Sequence, residues 1–312
     1  MSRMSKTSRP RAKNNTRAKT APKSTSAKNK TSVKSVAAAP IEIPKPETVQ
    51  TSSSLQPRLE HFYKWNIWLA VIFVAQAAAI LLLSTTHDVT VTTNYVAPDP
   101  LLSATGQTVL VAAVHRLFEV NIAFLIALFL LLAGIAHVVS ASVYRKRYEA
   151  ELSRGINRVR WIEYACTAAL ILGIVALLGG VYDISSLLMI MALTASMYMV
   201  GLFVDLRTRG KPLSEWASSR LACLAGLLPG FVLLFYAFAT QLYGATHLPS
   251  FVYWLYGSMA IIFIALATNF YLQHKARGKW ANYLYGERVF MIISVVAKTA
   301  MAWQIFAGLL HP

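Results

Sequence analysis

Seven segments of about 20 mostly apolar residues follow residue 60, and each is long enough to cross a hydrocarbon core of about 30 Å. Hydrophobic residues make up 56% of the 312-residue chain and charged residues 14%, which is too apolar for a soluble protein of this length. Because open sheet edges cannot be satisfied in lipid, the segments are predicted to be helices. The predicted fold class is an all-α membrane protein, a bundle of seven transmembrane helices. The predicted spans cover residues 65–84, 120–140, 161–181, 187–206, 221–242, 251–272 and 289–310.

The basic residues are distributed unevenly between the two ends of these spans. Of the 30 Lys and Arg residues, 13 precede His61 and 14 lie in three loops, residues 141–160, 207–220 and 273–288. The loops at the opposite ends of the spans contain Arg116 and no other Lys or Arg. Under the positive-inside rule, we expect a cell-membrane protein with a cytoplasmic N-terminus and an extracellular C-terminus.

The chain is predicted to have two parts, a tail over residues 1–58 and a helical domain over residues 59–312. The tail is rich in Lys, Ser, Thr, Ala and Pro and has no acidic residue before Glu42, so we expect it to be disordered. Three interpretations of the tail stay open: an arm that fixes the membrane orientation, a segment that contacts anionic lipid headgroups, and a cleaved organelle-targeting peptide.

The outer loop between the first two spans, residues 85–119, is the longest. Residues 89–92 alternate as VTVT, PDP interrupts the chain at residues 98–100, and residues 108–111 read TVLV. This pattern predicts a small β-hairpin over the outer mouth of the bundle.

Lys298 lies near the centre of the last span and is the only Lys or Arg within any of the seven. An ammonium at that depth costs about 3 kcal/mol on insertion scales, so it needs a charged partner, a cavity or a covalent use. Apart from groups at helix ends, His137 and Glu163 are the other ionisable candidates inside spans, and a Lys298–Glu163 pair is the natural hypothesis. The lysine is then either half of a structural ion pair or a desolvated amine that forms a Schiff base with an aldehyde. Three acids are expected at helix ends that water reaches: Glu119, Asp183 and Asp205.

Short motifs surround Glu163 and Lys298. Residues 147–148 read RY and residues 157–164 read NRVRWIEY. Toward the C-terminus the chain reads GKWANYL at residues 278–284, GER at 286–288, SVVAK at 294–298 and AWQIF at 302–306. These motifs resemble the third and seventh helices of heliorhodopsins, and the resemblance extends over residues 60–312. That family is inverted relative to other rhodopsins, in agreement with the predicted cytoplasmic N-terminus.

The resemblance implies that all-trans retinal is bound covalently to Lys298 as a protonated Schiff base, with Glu163 as its counterion. Ser294 matches a family serine that hydrogen-bonds near the Schiff base. Ser294 stands where other microbial proton pumps carry a second acid, and Ile174 stands where many outward pumps carry an acidic proton donor. We therefore expect no internal proton relay. A retinal pocket should be lined by aromatic and Met side chains, although ordinary helix packing is the alternative for each of them. The expected pocket residues are Tyr164, Thr167, Thr194, Met197, Phe263 and Trp303.

Two positions depart from the family pattern. Phe73 stands where heliorhodopsins often have a first-helix histidine, three residues before Gln76, and Ile264 stands where the family has a polar asparagine. His137 and Gln76 therefore remain as candidates for a polar interior, and His137 is equally well interpreted as a hydrogen-bonded packing residue.

The predicted function is a light-sensing photoreceptor that signals without pumping ions. Two alternatives are a light-driven or light-gated ion transporter and a membrane scaffold without pigment. No nucleophile–base constellation or metal-ligand spacing is evident, so neither an enzyme nor a metal site is predicted. The expected partners are membrane lipid, a second copy in a homodimer, as the resemblance suggests, and an unidentified cytoplasmic signalling protein; no nucleic acid is expected.

Overall fold

A computed structural model describes residues 52–106, 108–208 and 248–310, together with isolated helical positions between 228 and 243. In this part of the chain, six helices are long and apolar enough to cross a membrane. A seventh, shorter helix and a two-stranded sheet complete the main elements. In chain order they are α1 (Ser52–Leu83), β1 (Asp88–Pro98), β2 (Leu110–Asn121), α2 (Ile122–Ala141), α3 (Arg145–Ser153), α4 (Arg158–Leu178), α5 (Ile184–Thr208), α6 (Ser250–Lys275) and α7 (Tyr283–Ile305), which ends in a π-helical turn (Phe306–Leu310).

The six membrane-length helices cover the predicted spans except the fifth. The fifth, over residues 221–242, lies largely outside the described residues, as does most of the predicted tail. The start of α1 at Ser52 differs from the prediction, because the helix extends into the segment assigned to the tail. Hydropathy marks only the part of a helix that lies in lipid, so it could not show this extension.

Asparagine side chains cap three of the helices that build the bundle. Asn121 accepts hydrogen bonds from the first turn of α2, Asn157 from Arg160 N in α4, and Asn282 from Leu284 N in α7. Asparagine is favoured at this position because its side-chain oxygen satisfies backbone N–H groups that have no partner within the helix. These caps fix where α4 and α7 begin, and α4 and α7 carry Glu163 and Lys298.

The predicted β-hairpin is confirmed. β1 and β2 pair antiparallel from Asp88 opposite Asn121 to Pro98 opposite Leu110, with an irregularity after Val91. Backbone hydrogen bonding holds the hairpin to the connection between α4 and α5, because Thr92 N donates to Tyr182 O at 2.9 Å.

Asp183, in the same connection, binds both the hairpin and the first turn of α5. Its Oδ1 accepts from Asn94 N of β1 at 3.2 Å, and its Oδ2 accepts from the backbone N of Ser186 at 2.9 Å and from the Ser186 hydroxyl at 3.0 Å. These hydrogen bonds, that from the Ser186 backbone first among them, hold the pKa of Asp183 below its ordinary value.

The helices pack in chain order around an apolar core. α1 packs along α2, α2 contacts α4, α4 packs along α5, and α6 packs along α7. Phe73, one of the positions that depart from the family pattern, is completely buried in this core. Thr85, just after α1, donates from its backbone N and its hydroxyl to Leu310 O, so the ends of the first and last helices are joined.

Candidate functional site

A buried charged pair joins α4 to α7. Lys298 Nζ lies 3.0 Å from Glu163 Oε1, and the two residues are only 6% and 8% exposed. Lys298 Nζ also donates a hydrogen bond to Ser294 Oγ, one turn earlier on α7. Each charge compensates the other, since a single unpaired charge at this depth would carry a large desolvation cost. The structure thus brings a primary amine and one carboxylate together in the interior of the bundle.

Neighbouring side chains fix both members of this pair. The Thr167 hydroxyl lies within hydrogen-bond distance of Glu163 O, at 2.9 Å, and of Glu163 Oε1, at 3.1 Å. The ring centroid of Tyr164 lies 4.9 Å from Lys298 Nζ, close enough for a cation–π contact. The Tyr164 hydroxyl donates to Phe290 O at 3.2 Å, which fixes the ring. The amine therefore has a carboxylate, a hydroxyl and an aromatic face around it.

A cavity of about 350 Å³ reaches Lys298, and its wall is mostly apolar. This volume is in the range typical of small-molecule sites. Ile264 also lines the cavity, and its side chain is 63% exposed. Six of the residues named from the sequence lie in its wall: Tyr164, Thr167, Thr194, Met197, Phe263 and Ser294.

The cavity wall also contains residues that the sequence analysis did not name. They are large apolar or aromatic side chains on four helices, and each belongs to an apolar stripe that resembles ordinary core packing. They include Phe129, Tyr198, Tyr256, Met259 and Met301.

The structure places Trp303 outside the cavity wall. Its Nε1 donates to Gln76 Oε1 of α1 at 3.1 Å, and its ring lies 5.1 Å from that of Phe306. Trp303 follows Lys298 by five residues, which at about 100° per residue turns it well away from the lysine face of α7. The oxygen of Gln76, a predicted member of the polar interior, is thus bound by Trp303.

His137 is hydrogen-bonded to a residue that the sequence analysis missed. His137 Nδ1 lies 2.7 Å from Asn66 Oδ1, while Asn66 Nδ2 donates to Phe62 O at 2.9 Å. Asn66 Oδ1 can only accept a hydrogen bond, so His137 Nδ1 is the donor in this contact. The sequence does offer a sign of this contact, because Asn66 is an amide side chain at the start of a predicted apolar span.

Phe73 contacts both His137 and the lysine with an apolar ring. It stacks on the His137 ring at 5.7 Å with an angle of 13° between the planes. The centroid of the same ring lies 5.8 Å from Lys298 Nζ. An apolar ring therefore lies between the imidazole of His137 and the amine of Lys298.

A second buried charge cluster lies toward the starts of α4 and α7. Arg160 forms an ion pair with Glu287, and its second terminal nitrogen lies 3.6 Å from Asp205. Asn157 Nδ2 and Gln273 Nε2 also donate to the Glu287 carboxylate, at 2.8 and 3.0 Å. This cluster connects α4, α5, α6 and α7.

The burial of Asp205 corrects a sequence prediction. The sequence analysis expected water to reach this carboxylate, whereas Asp205 is fully buried. Trp161 Nε1 donates to its Oδ2 at 3.0 Å, and His274 Nε2 lies 3.3 Å from its Oδ1. The carboxylate can be buried because polar and charged side chains replace the water.

Membrane-length helices around an apolar cavity that ends on a buried lysine are typical of one class of protein, the helical membrane proteins with a small-molecule site in the bundle. The sequence model of the heliorhodopsin family matches residues 62–310, most of the chain. The chain belongs to the heliorhodopsin family. A search of curated proteins finds no match to it.

Membership in this family establishes the broad class of the protein. Heliorhodopsins are multi-pass membrane proteins of photoreceptor type, the family implies a retinal chromophore, and it is not typically enzymatic. The residues around Lys298 fit such a chromophore, because the cavity is apolar, of small-molecule size and open to the amine.

Proposed function

We propose that this chain is a light-sensing photoreceptor that binds all-trans retinal covalently at Lys298, uses Glu163 as counterion and signals without pumping ions. One observation carries the proposal. The buried Lys298–Glu163 pair lies at the wall of an apolar cavity of about 350 Å³. A purely structural ion pair would not need a cavity of this size beside it.

Retinal supplies a polyene that absorbs visible light and an aldehyde that condenses with a primary amine, with loss of water, to a Schiff base that is charged when protonated. Lys298 provides the amine. Glu163 balances the positive charge that remains on the nitrogen, and Thr167 holds the Glu163 carboxylate. Ser294 accepts a hydrogen bond from the Lys298 nitrogen and would stay beside that nitrogen in the pigment. Met197 and Phe263 line the cavity and exclude water from it.

Signalling without transport is supported by two side chains. Ile174 is 1% exposed in α4, at a position where many outward pumps carry a proton donor. Ser294 occupies the position on α7 where other microbial pumps carry a second acid. Neither side chain can take up and release a proton as a carboxylate does.

The test of pigment formation is an absorption spectrum of the full-length protein purified with all-trans retinal. We expect a visible band in the wild type and no band in Lys298→Ala. Borohydride reduction should attach the chromophore permanently to the peptide that contains Lys298. A wild-type protein without a visible band would favour the unpigmented scaffold.

Transport is tested separately by recording photocurrents from a voltage-clamped cell that expresses the pigmented protein. We expect no current at any holding potential. A light-dependent current that disappears in Lys298→Ala would establish the alternative, a light-driven or light-gated ion pathway.

The proposed orientation has the N-terminus inside the cell and the C-terminus outside. It is supported by the basic residues, 27 of 30 of which lie in the tail and the three loops that share one face. Single cysteines added before residue 58 and after residue 310 can be labelled with a membrane-impermeant reagent in intact cells. Labelling of the N-terminal site would overturn this orientation.

We also assign a homodimer to the functional state, together with a cytoplasmic signalling partner whose identity is open. The β-hairpin supports a dimer because it exposes large apolar side chains outside the membrane spans, among them Val96, Val114 and Phe118 at 50% or more. A second copy could cover such a surface. Native mass spectrometry of the detergent-solubilised protein should show twice the mass of one chain.

A further inference from the structure

The loop between α2 and α4 contains a helix, α3, that the sequence analysis did not predict. Only three residues separate α2 from α3, and four separate α3 from α4. At about 3.5 Å per residue, these links keep α3 within about 10–14 Å of the hydrocarbon core. The polar headgroup layer extends roughly 5–8 Å beyond the core on each side. α3 is therefore held beside the lipid headgroups, on whichever side of the membrane it lies.

One face of α3 is fixed to the protein. Tyr148 and Leu152, one turn apart, are 5% and 2% exposed. Burial raises the pKa of Tyr148 to about 12. This face anchors the short helix against α1 and α2, so the opposite face has a defined direction.

The opposite face is basic and exposed. Lys146 and Arg147 lie on α3, and Arg154 immediately follows its last residue; all three are exposed. At about 100° per residue, they fall within one sector of about 100°, turned away from Tyr148 and Leu152. Three cationic side chains are thus presented side by side.

The acidic residues of the same loop are already occupied. Glu149 pairs with Arg145 at 2.8 Å. Glu151 accepts from the Tyr144 hydroxyl at 2.9 Å and from Arg158 at 3.2 Å. Within the described part of the chain, no carboxylate forms an ion pair with any of the three side chains on the basic face.

We infer that Lys146, Arg147 and Arg154 form a binding site for the phosphate groups of anionic phospholipids. Each exposed cation next to a membrane attracts anionic headgroups, and the guanidinium groups of the two arginines can bind phosphate oxygens in a bidentate manner. The positive-inside rule accounts for the number of basic residues in this loop. It does not account for their alignment on one face, or for the pairing of both acids elsewhere.

The site is tested on the full-length protein by native mass spectrometry after incubation with equal amounts of phosphatidylcholine and phosphatidylglycerol in mixed micelles. We expect the wild type to retain phosphatidylglycerol preferentially. The triple variant Lys146→Gln/Arg147→Gln/Arg154→Gln should lower the ratio of the two bound lipids by about fivefold or more. Higher salt should lower the wild-type ratio as well.

A charge-matched control comes from the loop before α7 and the first turns of α7. Arg277, Lys279 and Arg288 are also exposed and lie outside any described ion pair, so their triple Gln variant removes the same charge. We expect this control to lose less than half as much of the lipid preference. Equal losses in the two variants, or no loss in the α3 variant, would overturn the site. The site would also be overturned if the α3 variant lost the binding of an acidic peptide, such as polyglutamate, but retained lipid as the wild type does. Circular dichroism of both variants should match that of the wild type.

Discussion

Gly201 of α5 leaves the space that the indole ring of Trp161 of α4 occupies. A Cβ atom at Gly201 would overlap three carbon atoms of that ring. The ring is fixed at its other edge, because Trp161 Nε1 donates to the buried carboxylate of Asp205. The helices α4 and α5 can approach this closely only because residue 201 has no side chain.

Gly201→Ala should therefore destabilise the protein by about 1–3 kcal/mol, through overpacking against Trp161. The measurement is unfolding in increasing dodecyl sulfate, followed by circular dichroism. Gly257→Ala in α6 is the matched control, since no atom of the described residues lies within 4 Å of a Cβ there. The control should be neutral or stabilised by up to about 1 kcal/mol, because alanine favours the helix. Identical unfolding curves for the two variants would contradict this prediction.

Removing Glu287 should be among the most destabilising single changes in the described part of the chain. Glu287→Leu removes the closer of the two carboxylates that pair with Arg160 in a buried site and leaves only Asp205 at 3.6 Å; breaking a buried ion pair costs about 3–5 kcal/mol. The same unfolding experiment measures it. The control is Glu149→Gln, which removes the partly exposed pair with Arg145 and should cost about 1 kcal/mol or less. A cost below 1 kcal/mol for Glu287→Leu would show that the cluster contributes little.

Glu163→Gln should move the visible band of the pigment to longer wavelength as long as the nitrogen keeps its proton. In the proposed pigment, the negative charge that lies 3.0 Å from the Lys298 nitrogen would hold the positive charge at that end of the polyene, and its loss would let the charge spread. The measurement is the absorption spectrum at neutral pH. Glu149→Gln, which lies outside the membrane spans, should leave the spectrum unchanged. A Glu163→Gln pigment with the wild-type band would exclude Glu163 as the counterion.

The attachment of the β-hairpin should weaken in acid. The pKa of Asp183 is held below its ordinary value of about 4, so the ionised carboxylate stabilises the folded hairpin above that pH. This contribution is lost as the pH falls through the lowered pKa of the folded state. The rate of hydrogen exchange at the backbone N–H of Asn94 should then increase, once it is corrected for the pH dependence of the intrinsic exchange rate. Asp183→Asn should remove this pH dependence. If the exchange rate of Asn94 still depended on pH in that variant, a group other than Asp183 would be responsible.

The helices of this fold could be predicted because the bilayer sets their length and hydropathy directly. Their ends could not be predicted, since an asparagine cap such as Asn157, and not hydropathy, decides where α4 begins. Helix α3 was missed because its sequence is mostly charged, and only Tyr148 and Leu152 mark its buried face.

The candidate site could be inferred in part for a related reason. Charged residues such as Lys298 and Glu163 are rare within membrane spans, so their presence suggests a partnership. Arg160, Glu287 and Asp205 lie at span ends, where a charge usually meets water, and only the structure shows that they are buried. The helical period alone indicates that Trp303 lies on a different face of α7 from Lys298, since five residues separate the two.

The two buried ion pairs connect the same two helices at two heights. Arg160 and Glu163 lie one turn apart on α4, whereas Glu287 and Lys298 lie 11 residues apart on α7, roughly 16 Å along its axis. Because α7 is continuous between them, a tilt of about 4° that pivots at Lys298 would swing Glu287 sideways by about 1 Å. In the proposed photoreceptor, a tilt of α7 about Lys298 would therefore have to stretch or break the Arg160–Glu287 pair before the loop that precedes α7 could move.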